Sequence, residues 1–336
     1  MTAKHNTYSL GTVFKGMWQG RPVGCSRPKG MELCRMWWKA CRPPFLIVDL
    51  IPIALGLALA VRDSSGSLSP VADWPWFRCF LVVIGCFCVH TVANIADDLF
   101  DYLLGIDTED SIGGTGVIQS GAISPREITC AIIFLLAVAV VIGWVLLKLS
   151  HQYWLIPFVI FAVLSAVFYV APPICYGHKG YGELLVAVNM GFIMVCGTYA
   201  VLAGRFDAVT LAYALPVGLM VAGILFFQSL PEIETDESTG KNTLAVHLGK
   251  TRAKLVFDIW WPLVWGFLIN LWLLKAAGWP VLLGLLTIPL YLLASRRLHY
   301  AVTSEEWLDL DRHGHLVRKL YLLNGLALVL GTFFSV

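Results

Sequence analysis

Long apolar runs separated by short polar segments occupy the chain from residue 45 onward. Each run approaches the thickness of a bilayer, and the first and eighth are short enough to require tilt or local thinning. Backbone polar groups find no partners in hydrocarbon, so each run is predicted to be a helix. The nine runs are 45–61, 77–96, 128–149, 153–170, 182–203, 209–230, 256–274, 279–295 and 316–335. The pattern predicts an all-α integral membrane protein with nine transmembrane helices in one bundle.

The composition supports lipid as the main solvent. Of the 336 residues 58% are hydrophobic and 14% are charged, whereas soluble domains average about 25% charged. The net charge of +2 says little about nucleic acid, but no basic run is interleaved with aromatics, so nucleic acid is excluded as a partner. Residues 1–44 carry eight basic residues against one acid, Glu32. They are predicted to be a basic segment preceding the helical domain at 45–336, either lying on an anionic leaflet or forming a disordered arm.

The basic residues also predict the orientation. If the N-terminus is cytoplasmic, 19 of the 24 Lys and Arg lie on that side and five on the other. The positive-inside rule therefore places the N-terminus in the cytoplasm and the C-terminus on the opposite side. Nothing in the sequence points to a protein partner.

A first acidic cluster continues from the second apolar run. One helical face, about 100° wide, carries His90, Asn94, Asp97, Asp98 and Asp101. Gly105 is predicted to end that helix, so that Asp107 folds back from the loop. Like charges on one face near lipid are costly unless a cation lies among them. The neighbouring Glu109 and Asp110 are interpreted as solvated.

A second acidic cluster follows the sixth run. Glu232 and Asp236 are four residues apart and share a helical face, whereas Glu234 points elsewhere. The predicted topology places both clusters on the cytoplasmic side, facing each other across a bundle cavity that is open to that side. Oxygen-only ligands on a partly open site suit Mg²⁺ that bridges to phosphate, so a pyrophosphate is predicted to bind between the clusters.

These segments resemble the UbiA superfamily of membrane-embedded aromatic prenyltransferases. Residues 97–108 read DDLFDYLLGIDT and resemble its first aspartate-rich motif; residues 232–244 read EIETDESTGKNTL and resemble its second. Other familial segments are Arg42-Pro43, Tyr169–Pro173, Gly182-Glu183 and residues 117–124. The closest branch is the menaquinone type, which prenylates 1,4-dihydroxy-2-naphthoate. The chain departs from the pattern with Asp97 in place of Asn, Glu232 in place of Asp, and no Arg in the loop at 113–119.

The resemblance implies a reaction and a set of site residues. A polyprenyl group would move from its allylic diphosphate to an aromatic quinone precursor, with two Mg²⁺ ions as cofactors. The implied metal ligands are Asp97, Asp98, Asp101, Asp107, Glu232 and Asp236, of which Asp98, Asp101 and Asp236 are assigned as catalytic. The implied diphosphate-binding residues are Lys241, Lys179, Arg42 and Asn94. Tyr169, Tyr176 and Tyr199 are candidates for an aromatic wall around the allyl cation.

Two further residues and two alternatives stay open. His90 is a candidate for orienting a carboxylate or for helix packing, and Asp49 is an acid inside the first span with no assigned role. The acceptor could instead be 4-hydroxybenzoate, homogentisate or a non-quinone aromatic. A remote alternative is an ion-coupled transporter, although transporters tend to place carboxylates at the midplane and to show internal repeats.

The orientation gives a testable prediction. In a background without native thiols, cysteines at Ser111 and Ser238 should both react with an impermeant reagent from the cytoplasmic face only. A tag after Val336 should be reached from the opposite face. Labelling of the two loops from opposite faces would separate the clusters by about 30 Å of hydrocarbon and rule out a shared pyrophosphate.

Overall fold

The computed structural model describes residues 9–22, 24–64, 76–107, 113–304 and 306–334, and the regular structure in these ranges is all helical. Two short helices precede the bundle and a third lies within it: α1 (Leu10–Met17), α2 (Met31–Cys41) and α9 (Ile233–Thr239). The other helices are α3 (Pro43–Ser64), α4 (Trp76–Leu103), α5 (Pro125–Ser150), α6 (Tyr153–Phe168), α7 (Gly182–Ala203), α8 (Val209–Ser229), α10 (Leu244–Leu273), α11 (Trp279–Ser304) and α12 (Trp307–Phe333).

Every predicted apolar run coincides with one of these helices. Within the described residues, eight helices are long and apolar enough to cross a membrane, and the ninth apolar helix, α6, is shorter. At 1.5 Å per residue α6 is about 24 Å long. The runs expected to be short belong to helices of 22 and 26 residues, α3 and α11, because both helices continue into polar flanks. The all-α membrane fold is confirmed; nine crossings remain a prediction.

The N-terminal segment is attached to the bundle. Arg21 donates to the carbonyl of Gly121 over 3.0 Å and pairs with Glu127 at the start of α5. Glu127 also closes a capping box with Ser124, which fixes the beginning of α5. On the outside, α1 and α2 leave Phe14 and Trp38 more than 60% exposed. From residue 9 onward the segment therefore forms two anchored helices with apolar side chains on the outside, which suits a leaflet surface.

Close helix contacts shape the interior next to the cavity. A Cβ at Gly191 of α7 would lie 2.6 Å from Gly218 of α8, so the two backbones approach where both residues lack side chains. Here α7 widens into a π-helical stretch over Ala187–Ile193. A π turn shifts the side chains that follow it, and Asn189 and Met190 line the cavity at this point.

A cavity of about 960 Å³ lies among the helices of the bundle. Apolar side chains of α5, α6 and α7 line one part of it, among them Ile142, Leu146, Phe158, Val159 and Ile193. Both predicted acidic clusters line another part, with residues that end α4 and surround the start of α9. The fold thus brings two acidic segments, more than 120 residues apart in sequence, to the same end of the bundle.

Candidate active site

Lys241 joins the two acidic clusters. Its Nζ lies 3.2 Å from Asp101 Oδ2 in the first cluster and 3.7 Å from Asp236 Oδ1 in the second. Gly240 ends α9 with φ +82°, which favours glycine, and the Lys241 N–H then donates to the carbonyl of Asp236. This turn brings the Lys241 side chain back towards the Asp236 carboxylate. The Gly-Lys pair therefore serves a structural purpose as well as an electrostatic one.

A histidine completes the surroundings of Asp101. His178 Nε2 lies 2.9 Å from Asp101 Oδ1, although the approach lies off the line of a hydrogen bond. Burial alone would lower the pKa of His178, but the contact with Asp101 outweighs it and raises the pKa to about 9. The imidazolium form is thus favoured at neutral pH. Asp101, only 2% exposed, lies between two cationic side chains.

Arg42 organises the other half of the first cluster. The residue connects α2 to α3 in a left-handed conformation, with φ 48°. Its guanidinium lies 3.1 Å from Asp97 and 2.6 Å from Asp98, and it donates to the carbonyl of Gly113 over 3.1 Å. Both carboxylates outweigh the effect of burial and raise the pKa of Arg42 above its ordinary value. A planar fork of donors suits this three-way contact better than a lysine would.

Asp98 is enclosed by protein, whereas Asp97 and Asp101 line the cavity. It is 3% exposed, and its oxygens accept from Arg42 and from the backbone N–H and hydroxyl of Thr115. Among the described residues it is not part of the cavity wall. The structure therefore gives Asp98, which was predicted to be a metal ligand, the position of an anchor for the loop that starts at Gly113.

That loop contacts one carboxylate from each cluster. A Cβ at Gly113 would lie 2.2 Å from Glu232 Oε1, and a Cβ at Gly114 would lie 2.2 Å from Asp107 Oδ2. The absence of side chains at two consecutive positions lets both carboxylates approach the backbone. Lys241 and the glycine pair are thus two separate places where the clusters meet.

The acidic end has an excess of negative charge. Six carboxylates (Asp97, Asp98, Asp101, Asp107, Glu232 and Asp236) accompany three cations (Arg42, His178 and Lys241). Burial, reinforced by neighbouring carboxylates, raises the pKa of Asp107 and Glu232 to about 7 and that of Asp236 to about 6. The same carboxylates outweigh burial at Lys241 and raise its pKa well above the usual value. Additional cations would stabilise this end.

The donor set fits Mg²⁺ that binds together with a phosphate. No three His, Cys, Asp or Glu side chains of the described residues already form a closed set of metal ligands. Mg²⁺ does not require such a cage, since it usually keeps several waters and takes one or two carboxylates together with substrate phosphates. Asp107, Glu232 and Asp236 line the cavity, as does Asp101, whose Oδ1 is approached by His178 without a hydrogen bond. These oxygens are available to a hard cation.

The structure brings most of the predicted site residues together. The cavity wall contains Arg42, Asn94, Asp97, Asp101, Asp107, Glu232, Asp236 and Lys241. Asn94 donates to the carbonyl of Cys41 and so helps to hold the turn before Arg42. Lys179 is exposed and is not in the described cavity wall. Its Nζ donates to the carbonyl of Pro173 over 3.5 Å. Glu234 pairs with Lys250 and is 68% exposed, as expected for a solvated acid. Glu109 and Asp110 lie outside the described residues.

Some contributors were not predicted. Lys179 was predicted to bind the diphosphate, whereas the adjacent His178 is the residue that contacts Asp101. Of the aromatic candidates, Tyr169 and Tyr176 line the cavity with ring centroids 5.3 Å apart. Tyr199 instead bonds to Asp63 and is not in the described wall.

Comparisons with known proteins identify the family of the chain. The model of the UbiA prenyltransferase family matches residues 50–312. The chain is 31% identical over 229 residues to 1,4-dihydroxy-2-naphthoate octaprenyltransferase of Haemophilus influenzae, covering 67% of this chain and 72% of that protein. It is 30% identical to the enzyme of the same name from Mycobacterium tuberculosis, and the match covers 77% of this chain and 84% of that protein.

Solved structures of low sequence identity share the fold. A UbiA homolog from Archaeoglobus fulgidus bound to GPP and Mg²⁺ superposes with a TM-score of 0.57 at 13% identity, covering 88% of this chain and 99% of that one. The family match spans most of the chain and includes both acidic clusters, so the chain belongs to the UbiA prenyltransferase family and is a transferase.

Proposed function

We propose that the protein transfers a polyprenyl group from an allylic polyprenyl diphosphate to an aromatic quinone precursor, with Mg²⁺ as cofactor and 1,4-dihydroxy-2-naphthoate as acceptor. One observation carries the proposal: Lys241 and the Gly113-Gly114 backbone both join the two acidic clusters at one end of a cavity with an otherwise largely apolar wall. A substrate with a polar head and a long apolar tail matches such a cavity.

The charge balance supports a cation-dependent diphosphate site. A diphosphate is itself a multiple anion, and the acidic end already has twice as many carboxylates as cationic side chains. At an effective dielectric constant of 20, two like charges 5 Å apart repel by about 3 kcal/mol. The head group therefore requires divalent cations between itself and the carboxylates. In this proposal Asp97, Asp101, Asp107, Glu232 and Asp236 hold two Mg²⁺ ions.

The cationic side chains would assist departure of the diphosphate. When bound, Mg²⁺ neutralises charge on the diphosphate oxygens and stabilises the leaving group. Lys241 and Arg42 already lie between the carboxylates and can donate to the same oxygens. Their ion pairs hold them in place before the substrate arrives, so little reorganisation is needed as charge develops. Asn94 contributes by supporting the turn that precedes Arg42.

The apolar part of the cavity suits the prenyl chain and the allyl cation. Side chains of α5 and α6, including Ile142 and Phe158, offer a hydrocarbon surface for the chain. Tyr169 and Tyr176 also line the cavity, with their rings 5.3 Å apart, and aromatic rings can stabilise a carbocation. A wall with few polar groups also excludes the water that would otherwise trap the cation.

The acceptor is inferred from motifs and from relatives. The spacing of the aspartate motifs resembles the menaquinone branch, and two relatives near 30% identity are named 1,4-dihydroxy-2-naphthoate octaprenyltransferase. Other aromatic acceptors, such as 4-hydroxybenzoate or homogentisate, form the second candidate. An ion-coupled transporter is disfavoured because the carboxylates lie at span ends at one end of the bundle. We also propose that this end faces the cytoplasm.

An acceptor assay tests the function directly. Purified protein with a labelled polyprenyl diphosphate and Mg²⁺ should prenylate 1,4-dihydroxy-2-naphthoate faster than 4-hydroxybenzoate or homogentisate. EDTA should abolish turnover and Mg²⁺ should restore it, because the carboxylates repel an uncompensated diphosphate. Product formation in thorough chelation would contradict the metal proposal, and preference for another acid in the panel would reassign the acceptor.

Substitution of single carboxylates tests the site. Asp101→Asn and Asp236→Asn should each lower kcat by at least about 10²-fold. Each variant removes a carboxylate that is proposed to hold the Mg²⁺ needed to stabilise the leaving diphosphate. Glu234→Gln is the matched control on the same short helix as Asp236, and its rate should stay within about twofold of the wild type. Equal losses in all three variants would refute the assignment of helical faces.

The glycine pair allows a test that leaves the carboxylates in place. In Gly114→Ala the new methyl carbon would lie 2.2 Å from Asp107 Oδ2, too close for a non-bonded contact, so the Asp107 side chain must rotate away. We expect at least a tenfold rise in the Mg²⁺ concentration needed for half-maximal rate, with little change in thermal stability. Gly266→Ala in α10 is the control, since its Cβ meets no atom within 4 Å. An unchanged Mg²⁺ requirement would remove the loop from the site.

A further inference from the structure

A second polar group lines the cavity inside the membrane-spanning part. Asp49 of α3 is completely buried, and its Oδ1 lies 2.8 Å from Nδ1 of His90 on α4. The His90 side chain is 19% exposed, and both residues belong to the cavity wall. Neither residue takes part in the diphosphate site described above. An acid–histidine pair therefore faces the substrate cavity without a role in the first half of the reaction.

The environment of Asp49 is unfavourable for a purely structural acid. Its second oxygen, Oδ2, is buried and has no hydrogen-bond partner in the described part of the chain. The nearby hydroxyl of Tyr321 donates to the carbonyl of Val48 instead. A buried carboxylate stabilises a fold only when its lone pairs are satisfied, and carboxylates within spans are expensive and commonly functional. The helix contact alone does not explain an acid at this position.

The contact fixes the state of the imidazole. A carboxylate accepts from Nδ1–H, so the neutral ring has its lone pair on Nε2. The acid also stabilises the imidazolium that forms when Nε2 takes up a proton. An imidazole held by a buried carboxylate, with its other nitrogen available to a cavity, is the arrangement of a general base.

The position along α4 suits an acceptor next to the leaving group. His90, Asn94 and Asp97 lie on one helical face, and His90 is about 10.5 Å along the helix axis from Asp97. This distance leaves room for an aromatic ring between the diphosphate end and the imidazole. One turn before Asp49, Phe45 also lines the cavity, and the guanidinium carbon of Arg318 lies 5.8 Å from its ring centroid. An aromatic ring and a cation side by side suit an aromatic acid.

We propose that His90 is the general base that deprotonates the aromatic acceptor. Asp49 positions the His90 imidazole and stabilises its protonated form. The inference rests on the proposed function. The acceptor O–H bond breaks and its proton goes to His90 Nε2, which increases electron density on the ring carbon. That carbon forms a bond to C1 of the prenyl group, and the C1–O bond to the diphosphate breaks with its electron pair on oxygen. The resulting ketone regains aromaticity by moving its ring proton to the oxygen, and His90 releases its proton to water.

The test separates acceptor deprotonation from diphosphate chemistry. His90→Gln should lower kcat for prenylation by about 10²-fold, the usual contribution of a general base. Its KM for prenyl diphosphate should stay within about twofold, as should its Mg²⁺-dependent binding of that substrate without acceptor. Asp49→Asn should lower kcat at least tenfold with the same unchanged KM. His299→Gln, an exposed histidine of α11, is the matched control and should behave as wild type.

A change of acceptor supplies the decisive readout. Ring-fluorinated acceptors whose hydroxyl is already ionised at the assay pH need no base, so both variants should recover to within about fivefold of wild type. The proposal is overturned if His90→Gln keeps its kcat, or if its deficit is the same with ionised and un-ionised acceptors, as a packing role would give. Should His90→Gln lose diphosphate binding, Asp49→Asn, which preserves side-chain size, carries the same comparison. Failure of the wild type to prenylate any aromatic acceptor would instead refute the proposed function.

Discussion

Repulsion among buried carboxylates is the constraint on which the architecture of the acidic end depends. Three cationic side chains from different parts of the chain offset this repulsion by pairing with the carboxylates. Arg42 precedes the first span, His178 lies between α6 and α7, and Lys241 follows α9. Loss of one partner from a buried ion pair typically destabilises a protein by about 3–5 kcal/mol. The cations therefore hold elements that are distant in sequence at one end of the bundle.

The same ion pairs determine the shape of the site. Arg42 contacts Asp98 and the Gly113 carbonyl, and Asp98 in turn holds Thr115. Through these contacts the glycine pair reaches Asp107 and Glu232. An acid that does not line the cavity can therefore matter as much for the site as those that do, because it positions the loop. Its substitution would disturb the site by moving the loop rather than by removing a ligand.

Periodicity predicted the all-helical fold and the helical faces that form the candidate site, and the positions that it did not predict share a physical cause. The i,i+4 relation correctly placed Asp236 on the cavity side and Glu234 in solvent. A helical face about 100° wide includes both Asp97 and Asp98, but only contacts from a distant loop separate the one that lines the cavity from the one that is enclosed. The choice of His178 over Lys179 depends on a 3-10 turn of three residues, Gly177–Lys179, which is too short for periodicity to carry information. Helix ends that continue into polar flanks were missed for α3 and α11 because hydropathy detects the apolar part alone.

The separation between the acidic end and the Asp49–His90 pair has a physical rationale in the two halves of the proposed reaction. Departure of a diphosphate requires concentrated positive charge, and positive charge lowers the basicity of any nearby imidazole. At the acidic end, the contact with Asp101 raises the pKa of His178 to about 9, so this imidazole already holds its proton and cannot accept another. A base there would also lie next to Lys241 and the proposed Mg²⁺, which oppose uptake of a proton. About two helical turns of α4 separate His90 from Asp97, and Asp49 supplies the local negative charge. The low polarity of the cavity wall strengthens the attraction between Asp49 and His90. The two helical turns between His90 and the acidic end weaken the effect of the cations there on the imidazole. One helix can thus present an electrophilic site at its end and a basic site within the span, on the same face of the same cavity.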